Sequence, residues 1–416
     1  MSQTITILGL GYIGLPTALL FAKAGLTVKG VDINKNVVDS LNKGYIHLEE
    51  KGLAELFNDV KDNFSATTTV GPSNVFLIAV PTPLKKSIHV SDLAYVRAAF
   101  EMIYPHLKKG NLVILESTVT PGASEKLGIP ILEKSGLKAG EFFYAHCPER
   151  AIPGKTLDEM VHNDRIIGGF NLESASVTRE LYKSYVKGNI YTCDIKTAEF
   201  AKLIENTYRD VNIALANELA KIADTAGINV WEAIALANKH PRVNILNPGP
   251  GVGGHCIAVD PWFLTENSSK WGIIQLAREI NDAMPNYVLQ LIRSLLVGVK
   301  DPVITIFGVA YKGNVDDTRE TPALKLIKLA ENEGYCVKCY DPHIKQFEYP
   351  CLPIEQAVDG SDCIIIITDH DEFKKINPAV LGMRRRNILD TRNILDHTLW
   401  QKSGFHIKTL GTGNKQ

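Results

Sequence analysis

Near the N-terminus the string Gly9-Leu-Gly11-Tyr-Ile-Gly14 separates an apolar, β-branched run (residues 4–8) from a stretch of helical periodicity (residues 12–24). A second apolar run (residues 26–31) ends against Asp32, 18 residues after Gly14. Strand, glycine turn, helix, strand and acid, in that order, form the fingerprint of a dinucleotide-binding Rossmann unit. Gly9 permits the tight turn, Gly11 lets the backbone approach a pyrophosphate, and Gly14 lets the helix pack on the strand. The helix N-terminus offers N–H groups and a positive dipole end to phosphates. Asp32 accepts the ribose hydroxyls and repels a 2′-phosphate, which selects NAD over NADP. The competing reading, a glycine-rich turn with no ligand, is disfavoured because the whole structural context of the motif is present.

The pattern then repeats. Short apolar runs at residues 74–80, 112–115 and 141–146 alternate with helical stretches, as in a parallel α/β sheet. Residues 194–227 change character and read as one long helix, with Ala and Leu three and four apart and no Gly or Pro before its end. A Pro/Gly-rich stretch follows at 247–254, and another helix at 273–296. From Pro302 the α/β pattern restarts, with strands at 303–307, 335–340, 363–368 and 387–389 and a helix at 322–332. This lobe echoes the first: strand, glycine turn, helix, strand, then Asp341. The expected architecture is α/β, two Rossmann-like doubly wound lobes joined by a helical central domain with a long helix. The boundaries fall at 1–193, 194–300 and 301–416.

A formal net charge of -1 with no long block of like charge argues against nucleic acid and membrane surfaces as partners. The run Arg384-Arg385-Arg386 reads as a solvated turn. No apolar run reaches the roughly 18 residues a membrane span needs, and no signal peptide is visible, so a cytoplasmic protein is expected. Seven scattered cysteines, an odd number, argue against a disulfide framework. Cys336 and Cys339 have CxxC spacing but no second pair follows, so no metal site is expected.

One cysteine stands apart. Gly249-Pro-Gly-Val-Gly-Gly-His-Cys256 sets a thiol after four glycines, where backbone N–H groups approach a ligand closely and stabilise an oxyanion. Cys256 is therefore a candidate nucleophile, against the ordinary reading of a lone cysteine as buried packing. Asp260, four residues on, either orients a base or water or merely caps a helix before Pro261. On the long helix Lys202, Asn206 and Arg209 fall at i, i+4 and i+7, on one face. From spacing alone that stripe reads equally as a solvated face or as a site.

Together these residues resemble the UDP-sugar 6-dehydrogenases of the UDP-glucose/GDP-mannose dehydrogenase family, nearly end to end. The resemblance runs through residues 9–14, Asp32, Val80-Pro-Thr82-Pro, Glu116-Ser-Thr118-Val-Thr-Pro-Gly, Pro148-Glu149-Arg150, Lys202 with Asn206, Gly-Gly-His-Cys256 with Asp260, Phe307-Gly-Val-Ala-Tyr311-Lys312, and Asp317-Thr-Arg319-Glu. It implies a four-electron oxidation of a C6 alcohol to the acid with two NAD. Cys256 carries the thiohemiacetal and then the thioester. Lys202 is the acid/base or oxyanion stabiliser, helped by Asn206, Thr118 and a water near Asp260, while the role of Glu149 stays open. It further implies that Tyr12, Ile13, Asp32, Thr82, Thr118 and Arg319 contact NAD. Arg150, Ala151, Arg209, Gly253, Tyr311, Lys312 and Arg392, with Lys202 and Asn206, would hold the nucleotide sugar. His240 and Arg242 would be lent across a homodimer interface built on the long helix.

UDP-glucose enzymes of the family usually carry a second Glu four residues after the first, where this chain has Pro153. Together with the stretch 247–262, that departure points to the N-acetylhexosamine branch. The expected substrate is UDP-N-acetylmannosamine, for a cell-surface polysaccharide precursor, with UDP-N-acetylglucosamine or UDP-glucose as alternatives. Two other classes compete: a catalytically silent nucleotide-binding regulator and a one-step hydroxyacid dehydrogenase.

Overall fold

The structure, a computed structural model, describes residues 3–48, 50–85, 88–152, 154–269 and 272–413. Pro153 lies outside them. The chain forms two compact units, Met1–Glu205 with Trp262–Asn267, and Asn206–Pro261 with Ser268–Gln416.

The first unit is built on β1 (Thr4–Leu8), β2 (Thr27–Val31), β3 (Phe64–Thr67), β4 (Val75–Ile78), β5 (Leu84–Lys85), β6 (Val90–Ser91), β7 (Leu112–Leu115), β8 (Phe143–His146), β9 (Arg165–Gly169) and β10 (Ile190–Asp194). Eight of these form one sheet in the order β10-β9-β8-β7-β4-β1-β2-β3, and β5 and β6 form a separate hairpin. Every pair in the large sheet is parallel except β8–β9. β4 and β7 are buried along their whole length, because helices cover both faces of such a sheet. The order reverses where β1 lies between β2 and β4. Ligands bind outside the carboxyl ends of strands at such a switch point.

The second unit carries β11 (Val303–Phe307), β12 (Cys336–Tyr340), β13 (Cys363–Ile366), β14 (Asn387–Asp390) and β15 (His406–Thr409), all parallel, in the order β12-β11-β13-β14-β15. Its glycine turn repeats the first in detail. Gly9 N–H donates to Val31 O at 2.8 Å, and Gly308 N–H donates to Tyr340 O at 2.9 Å. Gly9 (φ +91°) and Gly308 (φ +87°) both occupy the left-handed region that favours glycine.

The long helix spans Ile195–Ala226, matching the expected 194–227 within one residue at each end. The first helix, Gly14–Lys23, begins two residues later than expected because residues 11–13 are spent on the turn. The fold class is as expected, α/β with two parallel Rossmann-like sheets and a helical middle. Arg384 is more than a solvated charge: it pairs with Asp362, whose side chain is fully buried, and with the Asp301 carbonyl. Among the described residues no helix is long and apolar enough to cross a membrane.

Candidate active site

In the first unit the three glycines have three separate causes. A Cβ on Gly9 would lie 2.5 Å from the Ala79 carbonyl oxygen, and one on Gly14 would lie 1.8 Å from Gly9 O. Gly11 has nothing within 4 Å of its Cβ position, so its surface is open to an approaching group. The helix that follows has no side-chain cap on its N-terminus, consistent with N–H groups kept for phosphate. Asp32 accepts Leu10 N–H at 3.0 Å and Asn34 N–H at 2.9 Å, one on each carboxylate oxygen, which leaves a lone pair on each for a ribose. The Ser117 hydroxyl donates to Val80 O at 2.8 Å, tying the turn after β7, which bears Thr118, to the turn after β4, which bears Thr82. Tyr12, Ile13, Thr82 and Thr118 are half-buried around these strand ends. The donor set fits a dinucleotide.

Glu149 and Arg150 follow β8. One oxygen of Glu149 accepts the N–H groups of Arg150 at 2.6 Å and Ala151 at 2.9 Å. The other meets the Arg165 guanidinium at 2.6 Å. Arg165 also reaches Glu116 at 3.2 Å, and Glu116 takes hydroxyl bonds from Thr17 and Tyr182, each at 3.1 Å. Burial pushes the Glu116 carboxyl up to about 7, against the pull of Arg165 and with the push of Glu149. Arg150 forks onto Glu205 at 2.6 and 3.1 Å and donates to Asp164 O at 2.9 Å. Lys202 is buried on the long helix.

In the second unit Cys256 is exposed, so the packing alternative does not describe it. The glycine loop before it is held by Gly254 N–H donating to Arg319 O at 3.0 Å. A Cβ on Gly253 would lie 2.8 Å from both Glu320 O and Tyr311 Cβ. The Cys256 carbonyl accepts Asp260 N–H at 2.8 Å and Val259 N–H at 3.0 Å, which opens the Asp260–Thr265 helix. Asn206 donates its amide to Asp260 at 2.6 Å, both side chains buried. The stripe on the long helix is thus not a solvated face at residue 206, though Arg209 is exposed. Asp260 is at once a helix start and the partner of a buried amide. Burial pushes the Tyr311 hydroxyl up to about 12, and the charges of Asp317 and Cys256 add to this, so Tyr311 remains a neutral donor at working pH. Arg319 forks onto Asp317. Arg392 pairs with Asp369 at 3.2 Å and lies against Gly249, where a Cβ would come within 2.6 Å of its Nη1. Lys312 is half-buried, and His240 and Arg242 are exposed in the turn after the Val230–Ala237 helix.

Sequence reasoning quoted Glu116 in a motif without giving it a role, and passed over Arg165 and the buried amides Asn217 and Asn281 with the Asp210–Arg278 pair beside them. It also gave no hint that His343, His370 and Glu372 bring ligand atoms within 4.8 Å of one another. That cluster does not suit a metal. His370 Nδ1 already accepts Asn314 N–H at 2.9 Å, and Nε2 faces Asp341 at 3.0 Å, so neither ring nitrogen is spare.

Models of one protein family match three stretches of the chain. They are the UDP-glucose/GDP-mannose dehydrogenase family's NAD binding domain over residues 3–186, its central domain over 196–283 and its UDP binding domain over 305–397. A Methanococcus maripaludis protein named UDP-N-acetyl-D-mannosamine dehydrogenase is 49% identical over 423 residues, covering 99% of this chain and 97% of its own. A Ralstonia nicotianae protein named NDP-N-acetyl-D-galactosaminuronic acid dehydrogenase is 43% identical over 410 residues, covering 94% and 96%. The solved structure of UDP-D-ManNAc dehydrogenase from Pyrococcus horikoshii superposes with a TM-score of 0.93 at 42% identity, covering 99% of this chain and 100% of that one.

Proposed function

The chain belongs to the UDP-glucose/GDP-mannose dehydrogenase family and is an NAD-dependent UDP-sugar dehydrogenase, and from that premise we propose that it oxidises UDP-N-acetyl-D-mannosamine at C6 to the uronate. The observation that carries the reading is the exposed Cys256 thiol on its glycine loop, with the buried Asn206–Asp260 bond four residues behind it. The names of relatives at 42–49% identity over nearly the whole chain support the choice of sugar.

When bound, NAD supplies the hydride acceptor for each of two oxidations. The rest falls to the chain. Lys202 accepts the C6 hydroxyl proton as the aldehyde forms. The Cys256 thiolate adds to the aldehyde carbon to give a thiohemiacetal, keeping that carbon on the enzyme and able to lose a second hydride. The thioester that results is cleaved by water oriented at Asp260, the carboxylate leaves, and the thiolate is restored. Lys202 and Asn206 hold the oxyanion in both tetrahedral stages. Per sugar, one water and two NAD enter, and two NADH and three protons leave.

Tyr12, Ile13, Asp32, Thr82, Thr118 and Arg319 are assigned to NAD. Arg150, Ala151, Arg209, Gly253, Tyr311, Lys312 and Arg392 are assigned to the nucleotide sugar. Three functional regions, 1–193, 194–300 and 301–416, divide the work. The working form is a homodimer whose partner lends His240 and Arg242, and the product feeds a cell-surface polysaccharide. The Ralstonia relative supports a second reading, the galacto isomer.

The test is NADH absorbance with product mass for UDP-N-acetylmannosamine, UDP-N-acetylglucosamine, UDP-N-acetylgalactosamine and UDP-glucose. About two NADH per UDP-N-acetylmannosamine are expected, one for each hydride step. Cys256→Ser is expected to abolish acid formation while NAD still binds. One NADH per substrate, normal acid from Cys256→Ser, or no turnover with any sugar would each end the reading.

A further inference from the structure

We infer that Arg165 is a positioning residue of this site: its guanidinium, clamped between the Glu116 and Glu149 carboxylates, holds the cofactor-side turn at residues 117–118 in register with the loop at residues 149–151. The inference rests on the function proposed above.

Arg165 opens β9, and its side chain is 4% exposed. One end of the guanidinium meets Glu149 at 2.6 Å. The other meets Glu116 at 3.2 Å and approaches the Cys147 sulfur at 3.8 Å. The Tyr182 ring lies 4.6 Å from its centre. Each carboxylate then fixes backbone or helix. Glu149 uses its second oxygen to take the N–H groups of Arg150 and Ala151, so the ion pair sets the path of the loop after β8. Glu116 uses its second oxygen to take the Thr17 hydroxyl, so the end of β7 is tied to the helix that follows the glycine turn. A single cation thereby connects the first helix and the carboxyl ends of β7 and β8, the edge of the sheet where such folds bind ligands.

Stability alone is a poor reason for this arrangement. A buried ion pair rarely stabilises more than the apolar residues that would fill its place. Two carboxylates on one guanidinium also leave an excess negative charge, which burial answers by raising Glu116 to about 7. What the triad supplies is geometry, since the two terminal nitrogens of one planar guanidinium, each holding one carboxylate, fix both the distance and the angle between two strand ends.

Arg165→Met, Arg165→Lys, Glu149→Gln and wild type are compared by KM and kcat. NAD and UDP affinities are read separately by calorimetry without turnover. Arg165→Met is expected to raise the KM of both NAD and the UDP-sugar about tenfold or more, the scale of a small misplacement in an active site. Arg165→Lys, which keeps the charge but not the two nitrogens that reach both carboxylates, recovers part of the loss. Glu149→Gln raises the UDP-sugar KM and leaves NAD affinity near wild type. A merely structural role would lower the melting temperature but leave the folded fraction with wild-type KM and calorimetric affinities, and that result overturns the inference. If Arg165→Met does not fold, Arg165→Lys and Glu149→Gln decide by the same readouts. Absence of turnover in wild type would count against the proposed function, whereas the NAD and UDP affinities of the variants would still judge Arg165.

Discussion

Glu116 shows how one buried carboxyl links chemistry to stability. Its side chain is fully enclosed, and desolvation outweighs the nearby guanidinium, so in the folded protein it holds its proton up to about pH 7 against an ordinary value of 4.5. The native state therefore binds a proton that the unfolded chain has already released. That contribution to stability is complete below about pH 4.5 and is lost as pH rises through about 7. Glu116→Gln, which mimics the neutral form at every pH, is expected to flatten the fall in the urea midpoint between about pH 5 and pH 7.5. Wild-type and variant curves that stay parallel across this window would show that residue 116 carries no such proton.

The long helix, about 48 Å from end to end at 1.5 Å per residue, works by what it buries. Within the second unit, Asp210 on this helix meets Arg278 at 2.6 Å and Asn281 at 2.8 Å on the Gly272–Leu295 helix. Asn217, two turns on, donates to Asn281 at 2.9 Å and accepts Gly249 N–H at 2.8 Å. The start of the nucleophile's glycine loop thus hangs on an amide that bridges two helices. Asn217→Ala leaves Gly249 N–H and the Asn281 side-chain amide oxygen without this partner in the core, a loss of about 1–3 kcal/mol. The urea midpoint is expected to fall accordingly, while exposed Lys239→Ala should change it by under about 0.5 kcal/mol. A midpoint for Asn217→Ala within that smaller range would show that the amide does not hold the loop. These pairings explain what was legible beforehand. β1, β7 and β11 were readable to the residue because a buried strand in a parallel sheet reads as a short run of apolar and β-branched residues, threonine included. The glycine turn was readable because local geometry dictates residue type at fixed offsets, whereas the Lys202–Asn206 spacing by itself left a solvated face and a site equally open. The roles of Arg165 and Glu116 were not readable, because a charge at a strand end reads as solvated until a partner 49 residues away is known. β9 was missed for a related reason: it runs Arg-Ile-Ile-Gly-Gly, with only two apolar side chains in five residues.

Across the whole molecule the same turn has been built twice and closed once. Asp32 takes two backbone N–H groups, one per oxygen, and keeps acceptor capacity. Asp341 takes Val309 N–H at 2.7 Å, Ala310 N–H at 3.1 Å and His370 Nε2 at 3.0 Å on a single oxygen, and His343 N–H at 2.9 Å on the other. The first acid is thus equipped to read a ribose, and the second is consumed in shaping the turn that carries Tyr311 and Lys312. Such a division lets one fold serve a dinucleotide in one unit and a nucleotide sugar in the other. The long helix adds a third feature. Phe200, Ile204, Tyr208, Leu215 and Ile222 are all exposed, between 44% and 58%. Steps of four and seven keep them on one helix face, and an exposed apolar stripe of that length is a surface of the kind a protein partner covers. A second copy of the chain is the occupant that the homodimer proposal requires. Leu215→Glu combined with Ile222→Glu is expected to reduce the mass seen by light scattering from dimer to monomer, because a charge in the middle of an apolar interface goes unpaired. Neither residue faces the core, so the thermal transition of the resulting monomer should still be cooperative. A double variant that remains dimeric, or a wild type that is monomeric at micromolar concentration, would mean that this face does not join two copies.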